Sequence, residues 1–237
     1  MGKVSSQTLP VLSISEEERD RMYQLMEADY LGMDQCTFEK DLREKDCVMI
    51  LRDVESGRIV GFSTLMVIDL PVQGTIVRAV FSGDSIVQSE FRRTLGLAVE
   101  LGTYLRRVAE SHPSDLVVWL LTSKGCRTYG ILPLLFRDFY PRWDAPTPPL
   151  YTQMMDAFGA YKYPGEYDPV GHRVRHGGSA QRLRPGVADV TDQRLRDPHV
   201  QFFTKANPGH MKGDDLVCVA DAREDNWHPH FRRILGG

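Results

Sequence analysis

Residues 74–110 read GTIVRAVFSGDSIVQSEFRRTLGLAVELGTYLRRVAE, and their order decides the fold. Thr75 to Val87 is an apolar run with the character of a strand, interrupted at Ser82-Gly83-Asp84. A glycine inside such a run marks a bulge or a close backbone approach. Arg93-Thr94-Leu95-Gly96-Leu97-Ala98 then makes a short turn, and a helix over about Phe91 to Glu110 turns Leu101, Leu105 and Val108 toward a core. A strand that enters a helix this way aims unpaired backbone N–H groups and the positive end of the helix dipole at the space beyond. Small residues at 96 and 98 let an anion such as a pyrophosphate approach that backbone. The R-x-x-G-x-A pattern recurs at Arg175-His176-Gly177-Gly178-Ser179-Ala180, where no apolar strand precedes it. The flanks select the first copy.

Upstream, Val11 to Ile14 reads as a first strand, and Ser15 with Glu18 three residues on forms a capping box for a helix over Glu16 to Tyr30. Thr37 to Lys45 is a second, short helix. Cys47–Arg52 and Ile59–Val67, joined by the turn Asp53–Gly57, form an antiparallel hairpin. Downstream, Leu116–Leu121 is continuously apolar, the mark of a strand buried on both faces. Thr128 to Phe139 reads as a helix that Gly130 and Pro133 should kink or delay. From Pro141 to Pro198 periodicity is poor, with one helix at Pro149 to Phe158. Val200–Thr204 and Leu216–Ala220 then read as two final strands linked by the loop Asn207–Gly213. The boundaries are a core at 1–143, an insertion or lid at 144–198, and the last strands and tail at 199–237.

The 237 residues carry a formal net charge of −3, with 42% hydrophobic and 26% charged residues, which is ordinary for a soluble globular chain. That charge gives no reason to expect a nucleic-acid partner. No run approaches the roughly 20 apolar residues of a membrane span. Met1 to Pro10 lacks the apolar core of a signal peptide, and Cys36, Cys47, Cys126 and Cys218 show neither C-x-x-C nor metal-finger spacing. A reducing, cytoplasmic location is the expectation. His199, His210, His228 and His230 lack the spacing of metal ligands, so no metal is expected.

The order strand, helix, helix, three antiparallel strands, helix, strand, helix and a delayed pair of strands resembles the GNAT (Gcn5-related N-acetyltransferase) superfamily. The carrying residues are Gly57-Arg58-Ile59-Val60-Gly61-Phe62-Ser63, Ile86-Val87-Gln88-Ser89-Glu90-Phe91 and the turn Arg93 to Ala98. The resemblance covers Val11 to about Pro141 and the last two strands. Two features depart from the family pattern. Phe91-Arg92 is followed by Arg93-Thr94-Leu95-Gly96, shifting the glycine motif by about one residue, and Phe136–Pro141 replaces a Tyr-x-x-x-Gly-Phe ending. The loose turn and large insertion are also similar to the acyl-homoserine-lactone synthase and long-chain N-acyl amino acid synthase branches.

The resemblance implies an α/β fold with a mostly antiparallel central sheet flanked by helices. It also implies attack of a primary amine on an acyl thioester. The co-substrate would be acyl-CoA or an acyl-phosphopantetheine, with no tightly bound cofactor. The acceptor would be a small-molecule or peptide amine, and an acyl carrier protein is a candidate partner. Backbone at Ile86 and Val87 would hold the pantetheine arm, and Arg92, Arg93, Thr94, Leu95, Gly96, Leu97 and Ala98 its phosphates. Asp84 at the bulge is the candidate for holding or deprotonating the amine, against the alternative that it satisfies a turn. Tyr129, after the fifth strand, is the candidate acid for the departing thiolate, with Ser123 as substitute and a core aromatic as the alternative. Cys126 reads by default as a buried structural thiol. A rival reading is a GNAT-like module that binds a CoA-type ligand or a protein and does no chemistry.

Overall fold

The computed structural model describes residues 2–177 and 181–236; the end of the second turn copy, 178–180, therefore lies outside the described residues. In chain order the elements begin β1 (Val4–Pro10), α1 (Glu16–Asp29), β2 (Tyr30–Leu31), α2 (Gln35–Arg43), β3 (Cys47–Asp53), β4 (Ile59–Val72) and β5 (Thr75–Val87). They continue with α3 (Gly96–Ser111), β6 (Leu116–Ser123), α4 (Cys126–Tyr129), α5 (Ile131–Leu135), β7 (Phe139–Tyr140) and α6 (Pro149–Lys162). The last are β8 (Tyr167–Asp168), β9 (Arg173–Val174), β10 (Arg182–Leu183), α7 (Pro198–Ala206), β11 (Asp215–Asp221) and α8 (Pro229–Ile234).

The main sheet has the order β1-β3-β4-β5-β6-β11-β9-β8, with β7 also on β11. Among the described residues only the β5–β6 pairing is parallel. The protein is thus a mixed α/β fold with a mostly antiparallel central sheet flanked by helices. β6 shows why its sequence is apolar throughout. Val117, Trp119 and Leu121 pack on one face with α3, α5, α7 and α8, while Val118 and Leu120 pack on the other with Met154, Met155 and Phe158 of α6. A third cluster seats α1 and α2 on β3 and β4 through Met22, Met26, Phe38, Val48, Ile50 and Phe62. The helix α6, from the stretch of poor periodicity, is therefore built into the core, and it runs to Lys162 rather than Phe158.

The capping box forms as expected: Ser15 N donates to Glu18 Oε2 at 2.8 Å, and Glu18 N donates to Ser15 Oγ at 3.3 Å. Three other expectations are corrected. The first strand is Val4–Pro10, whose Ser, Gln and Thr side chains hide an edge strand from a hydrophobic reading; Val11 to Ser13 form a single 3₁₀ turn instead. The helix expected over Thr128 to Phe139 breaks into α4 and α5 and gives way to β7, because Pro133 has no N–H to offer the Tyr129 carbonyl. Val200–Thr204 is helical, within α7. Asp197 accepts from His199 N at 2.8 Å to cap that helix, Pro198 opens it, and Phe203 is its buried anchor. The loop Asn207–Gly213 consequently joins a helix to β11, and β11 is the single long strand after the poorly periodic stretch.

Candidate functional site

The parallel ladder between β5 and β6 runs from Val77↔Leu116 to Ser82↔Leu121 and then stops. Trp119 Nε1 donates to Ser82 Oγ at 2.8 Å, fastening the final rung. Beyond it the two strands part, and β6 stays paired with β11 through Thr122 and Ser123. On its other edge β5 carries one extra residue. Its register with β4 shifts between Ser63↔Ser85 and Leu65↔Ser82, so that Thr64 faces both Gly83 and Asp84. A Cβ on Gly83 would lie 2.6 Å from Thr64 Oγ1 and 2.8 Å from Lys45 Cε, which is why the bulge needs glycine.

A cavity of about 430 Å³ opens where the strands diverge. Its wall includes Asp41 and Lys45 from the α2 end, Asp84 from the bulge, Thr122 and Lys124 from β6 and its exit, Tyr163 and Glu166 after α6, and Asp215 from β11. The lysines are both engaged. Lys45 is wholly buried, donating to the Asp41 carbonyl at 3.0 Å and pairing with the Asp41 carboxylate. Lys124 pairs with the buried Asp215 carboxylate, which also meets His176 Nε2 at 2.9 Å; His176 Nδ1 lies 3.5 Å from Glu166. Burial works against the charge of both Asp41 and Asp215. Their lysine partners more than offset it, holding each carboxyl below the usual range.

Asp84 is different. Its carboxylate has no hydrogen-bond partner among the described residues. Burial, reinforced by the Asp41 charge and only partly countered by Lys45 and Lys124, pushes it up to about 6. The nearby phenols of Tyr30 and Tyr163 are held protonated, chiefly by burial, with the Asp84 and Asp215 charges adding to it. The cavity therefore joins a carboxylate able to take a proton near neutral pH to phenols that stay protonated.

Of the residues singled out from sequence, Asp84 lines this cavity; Tyr129 and Ser123 do not. Tyr129 is 1% exposed, inside the core, and its hydroxyl donates to the Pro141 carbonyl at 2.9 Å. Ser123 is fully buried, with Oγ donating to the Gly125 carbonyl at 2.9 Å. Ile86 is buried among α1, α2 and the sheet, and the Val87 carbonyl already accepts from Arg92 Nε at 2.9 Å. Arg92 also pairs with Asp29 at the end of α1 and so pins the turn. Arg93 and Leu95 are exposed, Thr94 Oγ1 donates to the Phe91 carbonyl at 2.8 Å, and Leu97 and Ala98 pack against the core.

Gly96 opens α3, but a Cβ there would sit 2.4 Å from Leu51 Cδ1. Its smallness serves the seat of the helix on the sheet. Cys126 is buried, as its default reading had it.

Sequence reasoning missed Lys45, Asp41, Lys124, Glu166, His176 and Asp215. One signal was present: Asp215 begins a strand that is otherwise apolar through Ala220, and a charge at such a position needs a partner. Among the described residues no group of three side chains suited to a metal ion occurs, and no helix is long and apolar enough to cross a membrane.

No family model and no curated protein matches the chain. Solved structures do resemble it. One is a probable N-acyltransferase of unknown function from Enterococcus faecalis, at 13% identity and TM-score 0.42, over 54% of this chain and 31% of that one. Another is N-myristoyltransferase from Saccharomyces cerevisiae with bound myristoyl-CoA, at 15% identity and TM-score 0.41, over 52% and 30%. A third is a GNAT family N-acetyltransferase from Escherichia coli in complex with CoA, at 15% identity and TM-score 0.37, over 52% and 64%. The chain thus spans about a third of the first two proteins.

Proposed function

We propose that this protein is an N-acyltransferase of GNAT type, moving an acyl group from a CoA or carrier-protein thioester to a primary amine by direct attack. The observation that carries the reading is Asp84: an unpartnered carboxylate, raised to about 6, at a bulge where two parallel strands part beside a cavity. In the reaction the amine nitrogen forms a bond to the thioester carbonyl carbon, and Asp84 takes the proton that the nitrogen sheds. The tetrahedral intermediate then collapses, the carbon–sulfur bond breaks, and the thiolate leaves with a proton. The proton Asp84 took is the one available for that last step, and the Tyr163 hydroxyl in the cavity wall can hydrogen-bond the departing sulfur. The thioester would enter at the gap beyond Ser82 and Leu121, with its phosphates toward Arg93 and the first N–H groups of α3.

A binding-only reading draws support from the turn, where Arg92 and Gly96 are committed to packing and pairing. It gives no role to a carboxylate that lines the cavity without a hydrogen-bond partner among the described residues, and the enzyme reading does. The test is release of free thiol from acetyl-CoA and longer acyl-CoA, followed against a mixture of primary amines. Amine-dependent release that disappears in Asp84→Asn supports transfer. Absence of release from every CoA thioester and from an acylated carrier protein would leave the binding module.

A further inference from the structure

The charges around the cavity do not balance. Five carboxylates, those of Asp34, Asp41, Asp84, Glu166 and Asp215, face two lysines and one histidine in the wall, with Lys162 outside it 3.4 Å from Asp41. The cations are spoken for: Lys45 by Asp41, Lys124 by Asp215, and His176 by Asp215 with Glu166 beside it. An acceptor bringing its own carboxylate, such as a free amino acid, would find no uncommitted cation in the wall and would face Asp84 and Glu166 at close quarters. An acceptor bringing positive charge meets the opposite situation.

Asp84 has no hydrogen-bond partner among the described residues, and Glu166 is about half exposed at the cavity wall with only the long contact to His176. The wall also carries four aromatic side chains, Tyr30, Phe38, Phe81 and Tyr163, among hydroxyl and glycine residues, and aromatic faces attract alkylammonium groups. The volume, near 430 Å³, is that of a small-molecule site.

We infer that the cavity takes a small aliphatic di- or polyamine, its reacting nitrogen at Asp84 and a second ammonium toward Glu166. The inference rests on the acyl-transfer reading only for the fate of the first nitrogen. Binding itself requires no thioester.

The experiment is calorimetric titration of the whole protein at pH 7.5 with 1,4-diaminobutane, 1-aminobutane and glycine. Free-thiol release from acetyl-CoA is measured in parallel with each amine. The diamine should bind at least tenfold more tightly than the monoamine, and glycine should not bind. Asp84→Asn should weaken the diamine by tenfold or more. Glu166→Gln should weaken the diamine several-fold and leave the monoamine unchanged, a difference that a folding defect cannot produce. Glycine binding more tightly than the diamine, or equal affinity for diamine and monoamine, would overturn the inference while leaving transfer intact if thiol is released. Diamine binding that depends on Asp84 without thiol release from any thioester would keep the inference and remove the transfer reading. No binding by any of the three amines would overturn it.

Discussion

Two polar regions flank the end of β5, and they are built on opposite terms. The turn from Arg92 to Ala98 is continuous in sequence, and most of it is structural: Arg92 ties α1 to the β5 exit, Thr94 closes the turn, and Gly96 lets α3 sit on Leu51. The cavity around Asp84 is scattered over residues from 30 to 215, and the carboxylate on the bulge has no hydrogen-bond partner among the described residues. A pattern that is loud in one stretch of sequence can be an instruction for packing. Chemistry gathers where strands separate and distant segments meet, because only there does the sheet leave backbone and volume unclaimed.

Substitutions that tell the two regions apart sharpen this contrast. The largest effect belongs to Asp84→Asn, which should lower amine-dependent thiol release by 10²-fold or more, the usual contribution of a general base, without loss of the folded state by circular dichroism. In the wild type the same rate should fall as pH drops below about 6, where Asp84 takes up a proton before the reaction can supply one.

Next comes Gly96→Ala. The added Cβ meets Leu51, and strain of about 1–3 kcal/mol should appear as a lower denaturation midpoint. Pairing it with Leu51→Ala should recover part of the loss relative to Leu51→Ala alone, if packing is the whole story. If Gly96→Ala leaves stability unchanged and abolishes CoA binding, the turn is a binding device after all and the contrast fails.

Asp84→Asn should also stabilise the protein at pH 7.5. Its folded pKa is raised, so the folded state binds a proton more tightly than the unfolded chain. The charged carboxylate therefore costs stability above about 6, and the cost vanishes below the ordinary value near 4. Two pKa units carry about 2.7 kcal/mol, and water in the cavity screens part of it, so a gain of about 1–2 kcal/mol is expected in chemical denaturation. Tyr129→Phe should cost about 1 kcal/mol of stability through the lost bond to Pro141 and leave the turnover number within twofold. Smallest of all, Arg93→Ala should raise the KM for acyl-CoA a few-fold at low salt, an effect that 0.5 M salt removes.

The strands and long helices were legible where burial imposes a period: α1 through its cap, β6 through its unbroken apolar run, and the β5 bulge through Gly83. Val200–Thr204 misled because Val, Phe and Phe in close succession suit a strand. What made it a helix was Asp197 and Pro198 at its start and the core that receives Phe203, the last of these invisible from one chain segment. Val4–Pro10 failed in the other direction, since an edge strand need not be apolar. Asp84 was readable because its signal, a glycine next to a carboxylate inside a strand, is local. Lys124 and Asp215 were not, because each is defined by a partner 91 residues away.

The segment between α6 and β10 has one more consequence. It supplies Tyr163, Glu166, His176 and Gln181 to the cavity, and β10 anchors it by pairing with β2. The groups that would choose an acceptor are thus concentrated in one stretch of chain, while Asp84, the proposed base, stands on a different strand with its own covalent neighbours. Recognition and turnover can then be inherited separately. Recombining residues 163–181 between homologues would be a way to change clientele without rebuilding the engine.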